Sequence, residues 1–320
     1  TAILLALLYA LYRWHTQNND RWLLAACFFL GFGFSNHGLI LFTLPGCGLF
    51  VISCWAKKRI FPGARLLFLM LLSAVAGASL ILALALQDCL RAGSLKNCMA
   101  VFSGLLGAGS LADMHLSASK AGLMLAYLFY QFPCAGFLLG ISGIYTALSR
   151  STNTYTLMLA ILFFTYFMFP VSYSVRDSYQ FAISAYVCFA LFVSLGVQNL
   201  QALLFRRFSC LRMFPWACIA LLTALPCITY YGAPAVCDRF GIDLLNARTL
   251  PYRDNNRYFL LPPKNGDLGA HRYGTAALAA VEPNAVIVGD YTPIMVIQYF
   301  QEVKGTRRDI DTRIGLAEAQ

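Results

Sequence analysis

An amide and an imidazole, Asn36 and His37, stand side by side inside a long apolar stretch, and a guanidinium and a carboxylate, Arg176 and Asp177, stand side by side at the edge of another. Polar groups at membrane depth cost free energy unless they are solvated, paired or bound to a ligand. Asn36 and His37 can cap and turn a helical hairpin, or they can point into an outward cavity and hold a polar ligand. Arg176 can grip a lipid phosphate with a charge-assisted fork, or it can lie solvated beside Asp177 in a short loop. Arg91, Lys96, Asp113, His115 and Lys120 fall on the same expected side. Each alone reads as a loop residue, and their convergence on one face makes Asn36, His37, Arg176 and Asp177 candidates for substrate binding.

A membrane domain has to position these groups. Residues 1–232 contain no Glu and only four Asp, against 14 Lys and Arg, whereas residues 233–320 carry ten acidic and ten basic side chains. A mean hydropathy of +0.64 with 12% charged residues departs from a soluble globular chain, for which about 25% charged is ordinary. The net charge of +10 belongs to the apolar part, so it reports helix ends and anionic headgroups, and no nucleic-acid partner is expected. The expected fold is mainly α: a polytopic helical membrane bundle over residues 1–232, followed by the start of a small extracytoplasmic α/β domain over residues 233–320.

A span needs about 20 mainly apolar residues. The candidates are Arg65 to Leu86, Ala121 to Leu148, Tyr155 to Val171, Tyr179 to Leu204 and Phe214 to Tyr231. The stretch Trp22 to Ala56 is too long for one span, and its polar break at Ser35, Asn36 and His37 predicts two short helices. With that hairpin, Arg13 and Arg21, then Lys57, Lys58, Arg59 and Arg65, then Arg150, then Arg206, Arg207 and Arg212 fall in alternate connections. The positive-inside rule places these in the cytoplasm. The Asn36–His37 turn, the loop from Gln87 to Lys120, the Arg176–Asp177 turn and the C-terminal domain are then expected outside. Within the long loop, Met99 to Ala112 is too short to cross and reads as interfacial or re-entrant.

Gly136 with Gly140, and Ser73 with Gly77, predict close helix packing. Pro133, Pro170 and Pro226 predict kinks. Of the eleven cysteines, none forms a metal spacing such as CxxC; Cys27, Cys54, Cys134, Cys188 and Cys218 read as small hydrophobes, and Cys89 and Cys98 can pair if their loop faces an oxidising side. P-loop, GxGxxG, HExxH and GxSxG motifs are all missing, and the spans lack the buried acids of a proton-coupled transporter. Thr1 to Tyr12 lacks the basic start and small-residue cleavage site of a leader. A start without Met inside an apolar run reads as a fragment. In the C-terminal part, Ala285 to Val288 and Asp309 to Ile314 read as strands, and Pro293 to Val303 as a helix between them.

Two runs carry a resemblance. GFGFSNHGLILFTLPG, Gly31 to Gly46, resembles the "GLSLGNHxTxxxxxP" hairpin of multi-pass membrane glycosyltransferases similar to the transmembrane O-mannosyltransferases, in the type C superfamily. EPNAVIVGDYTPIMVIQYFQEVKGTRRDI, Glu282 to Ile310, resembles the start of that family's extracytoplasmic domain, with Asp290, Tyr299, Gln301, Val303, Gly305, Arg307 and Asp309 at the matching positions. The resemblance implies transfer of a sugar, mannose in the best-known members, from a polyprenyl- or dolichyl-phosphate carrier to a hydroxyl of a protein or glycan acceptor. The membrane would be the bacterial plasma membrane or the endoplasmic reticulum, and no cofactor is implied beyond the lipid-linked donor. Such a reaction needs a carboxylate to activate the acceptor and cations or dipoles to stabilise the departing phosphate. The family's acidic residue lies in the first outer loop, upstream of Thr1, so no catalytic residue is assigned and the fragment is expected to be inactive alone. The alternative is a non-enzymatic lipid or polysaccharide transporter whose soluble tail binds a partner.

Overall fold

The computed structural model describes residues 1–59, 61–92, 115–149, 153–173, 178–205, 214–242 and 251–315. They form two compact units, Thr1–Pro226 and Cys227–Gln320, so the division falls inside the helix Phe214–Phe240.

The first unit is all helical. The helix α1 (Ala2–Gln17) ends where Asn18 takes the left-handed conformation. The helix α2 (Asp20–Asn36) starts at Asn19, whose side chain accepts from the Arg21 N–H. A 3-10 turn, Gly38–Thr43, then runs into α3 (Leu44–Lys58), so the stretch expected to hold two helices does hold them, joined at the polar break. The helices α4 (Ala64–Gly77) and α5 (Ser79–Ala92) follow, then α6 (Ala118–Gln131), α7 (Ala135–Ser149) and α8 (Thr154–Ser172). A second 3-10 turn, Ser178–Ala182, leads into α9 (Ile183–Phe205), and α10 is Phe214–Phe240. Among the described residues four helical stretches are long and apolar enough to cross a membrane: Gly38–Lys58, Thr154–Ser172, Gln180–Leu204 and Trp216–Phe240. The number is six if each of two bent pairs counts as one span.

Of these bent pairs, the one at Pro133 is the kink expected there, and the one between α4 and α5 was not expected. Arg65 to Leu86 is broken between α4 and α5 by 70°, and Ala121 to Leu148 between α6 and α7 by 112°. The second break has a clear cause: Pro133 cannot donate to the helix and its ring clashes with the preceding turn, and Cys134 follows in the left-handed region at φ +50°. Cys134 is accordingly exposed at the corner rather than packed, whereas Cys54 and Cys188 are buried. Pro170 and Pro226 lie within continuous helices.

Small residues let the helices touch. A β-carbon on Gly31 would lie 1.9 Å from the Ala74 carbonyl oxygen, and one on Gly77 would lie 2.2 Å from that of Phe28. Ser73 Oγ donates to the Leu24 carbonyl at 2.7 Å and Ser35 Oγ to that of Gly77 at 3.3 Å. Hence α2 and α4 run side by side in the same direction. Between α7 and α9 the close approach is at Gly143, beside the Phe192 backbone, and Gly196, beside the Leu139 backbone. Asn199 Nδ2 adds a 2.7 Å bond to Thr146 Oγ1. Phe163, Tyr166, Phe189 and Phe192 fill the centre of the bundle.

The second unit contains α11 (Asn255–Leu260), α12 (Gly269–Ala280), β1 (Val286–Gly289), α13 (Tyr291–Glu302) and β2 (Asp311–Ile314). β1 and β2 pair in parallel, Val286 against Asp311 through Gly289 against Ile314, which is the βαβ unit expected. Leu278, Ile294, Ile297, Phe300 and Ile310 form its core.

Candidate functional site

His37 is in the extended conformation between α2 and the 3-10 turn, and its Nδ1 accepts from the Leu39 N–H at 3.2 Å. The cap expected of Asn36 is therefore supplied by His37. An Nδ1 that accepts leaves the proton of the neutral ring on Nε2, so this side chain offers a donor at its far edge. Asn36, the last residue of α2, is exposed beside it, and its side chain makes no hydrogen bond among the described residues.

The two residues open onto a cavity of about 340 Å³ whose other walls are Ile3 and Leu4 of α1, Tyr166 of α8, and Gln180, Phe181 and Ser184 around the start of α9. The Phe181 ring lies 6.2 Å from that of His37 and also edges onto Phe169 and Tyr173. Tyr166 sets the depth. It is 1% exposed, and its hydroxyl donates to the Leu39 carbonyl at 3.1 Å. It thus ties the hairpin to α8. Gly33 allows the turn to close, since a β-carbon there would meet Ile40 at 2.7 Å. The lining is mainly apolar, from Ile3, Leu4, Leu39, Ile40, Phe181 and Ile183, and no Asp, Glu, Lys or Arg side chain is in it; the amides of Asn36 and Gln180, the Ser184 hydroxyl and the His37 imidazole are the polar groups on that wall, a set suited to the hydroxyls of a neutral ligand.

Of the four candidates from the sequence, Asn36 and His37 meet at this cavity, and Arg176 and Asp177 lie outside the described residues, as do Lys96, Asp113 and the Met99 to Ala112 segment. Lys120 does not reach it, since its ammonium bonds the Tyr173 carbonyl at the end of α8, and the His115 N–H donates to the Ser172 carbonyl at 2.8 Å. Tyr166, Gln180, Phe181 and Ser184 were not singled out from sequence. A buried tyrosine in an apolar helix needs a partner for its hydroxyl, and that requirement was the available signal for Tyr166. No group of His, Cys, Asp and Glu among the described residues could hold a metal ion.

The second resemblance run has a structural role. Gln301 is 8% exposed, and its Nε2 donates to the Arg307 carbonyl at 3.0 Å and the Ile310 carbonyl at 2.7 Å. Gly305 and Arg307 both have positive φ, +67° and +52°. The Arg307 guanidinium donates to the Leu278, Val281 and Glu282 carbonyls at the end of α12 and pairs with Asp309 at 3.0 Å. Asp290 caps α13 through the Tyr291 N–H at 2.7 Å. Cys89 is disulfide-bonded, and Cys98 lies outside the described residues.

The site and fold thus define a mainly helical chain with several candidate membrane spans and a cavity, apolar in most of its lining, onto which Asn36 and His37 open. No protein-family model, no curated protein and no solved structure matches this chain.

Proposed function

We propose that this chain belongs to a membrane glycosyltransferase that takes a sugar, mannose by resemblance, from a polyprenyl-phosphate carrier and passes it to a hydroxyl acceptor on the non-cytoplasmic side. The observation that carries the reading is that the Gly31 to Gly46 run, which bears the resemblance, builds one wall of the cavity and places the Asn36 and His37 side chains on its otherwise mainly apolar lining. In such a transfer the acceptor oxygen attacks the anomeric carbon, the carbon–oxygen bond to the phosphate breaks, the acceptor proton passes to a base, and the lipid phosphate leaves. The Asn36 amide and the Ser184 hydroxyl are suited to hold sugar hydroxyls. The His37 Nε2–H is suited to donate to a phosphate or sugar oxygen, which makes this histidine a hydrogen-bond donor rather than the base. No carboxylate is among the described lining residues, so the base is assigned to none of them. Arg176, two residues before the Ser178–Ala182 turn in sequence, remains the proposed phosphate ligand on sequence grounds.

Binding of polyprenyl-phosphate mannose by the chain in phosphatidylcholine nanodiscs tests the reading. The wild type should bind it in preference to polyprenyl phosphate alone. Asn36→Ser and His37→Gln should each weaken binding about tenfold, the loss of roughly one hydrogen bond to a charged or buried group, with the melting temperature kept. Equal binding of the two lipids would sink the glycosyltransferase reading and leave the transporter alternative. A fall in stability that accounts for all the lost binding would make Asn36 and His37 structural.

A further inference from the structure

Four helix ends meet at the end of the bundle opposite the cavity. Lys58 at the end of α3 reaches Asn18 between α1 and α2, and its ammonium lies 5.6 Å from the Trp14 ring. Trp14 in turn edges onto Trp55 at 6.2 Å. Because α2 and α4 run in the same direction, Arg65 at the start of α4 is at the end of α2 that carries Arg21. Arg13, Arg21, Lys57, Lys58, Arg59 and Arg65 are thereby gathered on one face.

Five of these cations have no carboxylate partner among the described residues. Among the described residues neither Arg13, Arg21, Lys58, Arg59 nor Arg65 forms an ion pair, and both ion pairs present are in the second unit. The one carboxylate nearby, Asp20, accepts from the Trp14 indole at 3.3 Å. The Arg13 guanidinium lies 4.8 Å from the Trp22 ring, and its Nε is buried without an acceptor. Three of the four tryptophans, Trp14, Trp22 and Trp55, sit here, and tryptophan with arginine and lysine at helix ends is the signature of a membrane interface.

We propose that this face, through Arg13, Arg21, Lys58, Arg59 and Arg65, is a binding site for anionic phospholipid headgroups, which bring negative charge to cations that have no carboxylate partner among the described residues, while the indoles lie at headgroup level. The site does not depend on the sugar-transfer reading. Intrinsic tryptophan fluorescence of the chain in phosphatidylcholine nanodiscs tests it. Brominated phosphatidylglycerol should quench more strongly than brominated phosphatidylcholine at the same mole fraction. The triple variant Arg21→Gln, Arg59→Gln and Arg65→Gln should reduce that preference on the order of 100-fold, at roughly fivefold per cation removed. Lysine at the same three positions should retain it. Equal quenching by the two lipids in the wild type, or an unchanged preference in the glutamine variant, overturns the proposal. Should the triple variant fail to fold, Arg21→Gln alone, exposed at the first turn of α2, tests the same point at fivefold, and an unchanged preference there also overturns it.

Discussion

Asp309 illustrates what a single residue does in the second unit. The hydrogen bond from Arg307, and then the bond from the Asn284 N–H, hold its carboxyl well below the usual range, at about 2 against an ordinary 3.8. A carboxylate depressed in the folded state stabilises the fold above its unfolded pKa and loses that contribution as pH falls through the folded one. The contribution should be complete above about pH 4 and gone near pH 2. Hydrogen exchange at the Asn284 amide reads this directly: its protection, corrected for intrinsic rate, should be lower in Asp309→Asn than in wild type at pH 5, and the two should converge by pH 2. A difference that persists to pH 2 removes Asp309 from the turn. Gln301 is held to the same turn for a simpler reason. Its amide donates to two backbone carbonyls, and an apolar residue of the same size would remove the side-chain donor to the Ile310 carbonyl, whereas the Arg307 carbonyl would keep the Ile310 N–H.

At the level of elements, glycine position decides how α7 meets α9. A β-carbon on Gly143 would lie 2.0 Å from the Phe192 carbonyl oxygen, whereas one on Gly136 would make ordinary contacts at 3.4 and 3.5 Å. Gly143→Ala should therefore destabilise the bundle by about 1–3 kcal/mol through forced backbone separation, and Gly136→Ala should be nearly neutral. Thermal melting in detergent checks both, and equal melting temperatures for the two variants would refute the crossing. The spacing of Gly136 and Gly140 was legible in the sequence, but the partner surface was not. Nothing in a one-dimensional pattern says that Gly140 faces the Phe189 ring while Gly143 faces a backbone. The hairpin at Asn36 and the βαβ unit were legible because polar breaks and strand–helix–strand patterning are local. The 112° corner was hidden because Pro133 marks a bend without giving its angle. The cavity was half legible: Asn36 and His37 announce themselves as polar groups in an apolar run, whereas Tyr166 and Ser184 matter only because folding brings them to the same cavity across the bundle.

For the whole molecule, the alternating basic connections carry the expectation, from sequence, that the face bearing Arg13 and Lys57 is cytoplasmic and that residues beyond Gly232 are not. Single cysteines introduced at Asn265 and Arg21 should react with a membrane-impermeant maleimide from opposite sides of a sealed vesicle, and reaction from the same side would refute this topology. The helix α2 sets the distance between the two faces of the first unit. Its 17 residues rise roughly 25 Å, a few ångströms less than the hydrocarbon thickness of about 30 Å. If the tryptophans lie at headgroup level as proposed, the Asn36–His37 turn would stop within the acyl region of an average bilayer, unless the lipid thins around it. The cavity mouth would then open sideways onto lipid tails in a thick membrane and onto water in a thin one. Labelling of His37→Cys by a water-soluble maleimide should accordingly be faster in bilayers of 14-carbon chains than in bilayers of 20-carbon chains, and a rate independent of chain length would mean that the turn stands clear of the hydrocarbon. By this measure, bilayer thickness itself governs what can reach the site.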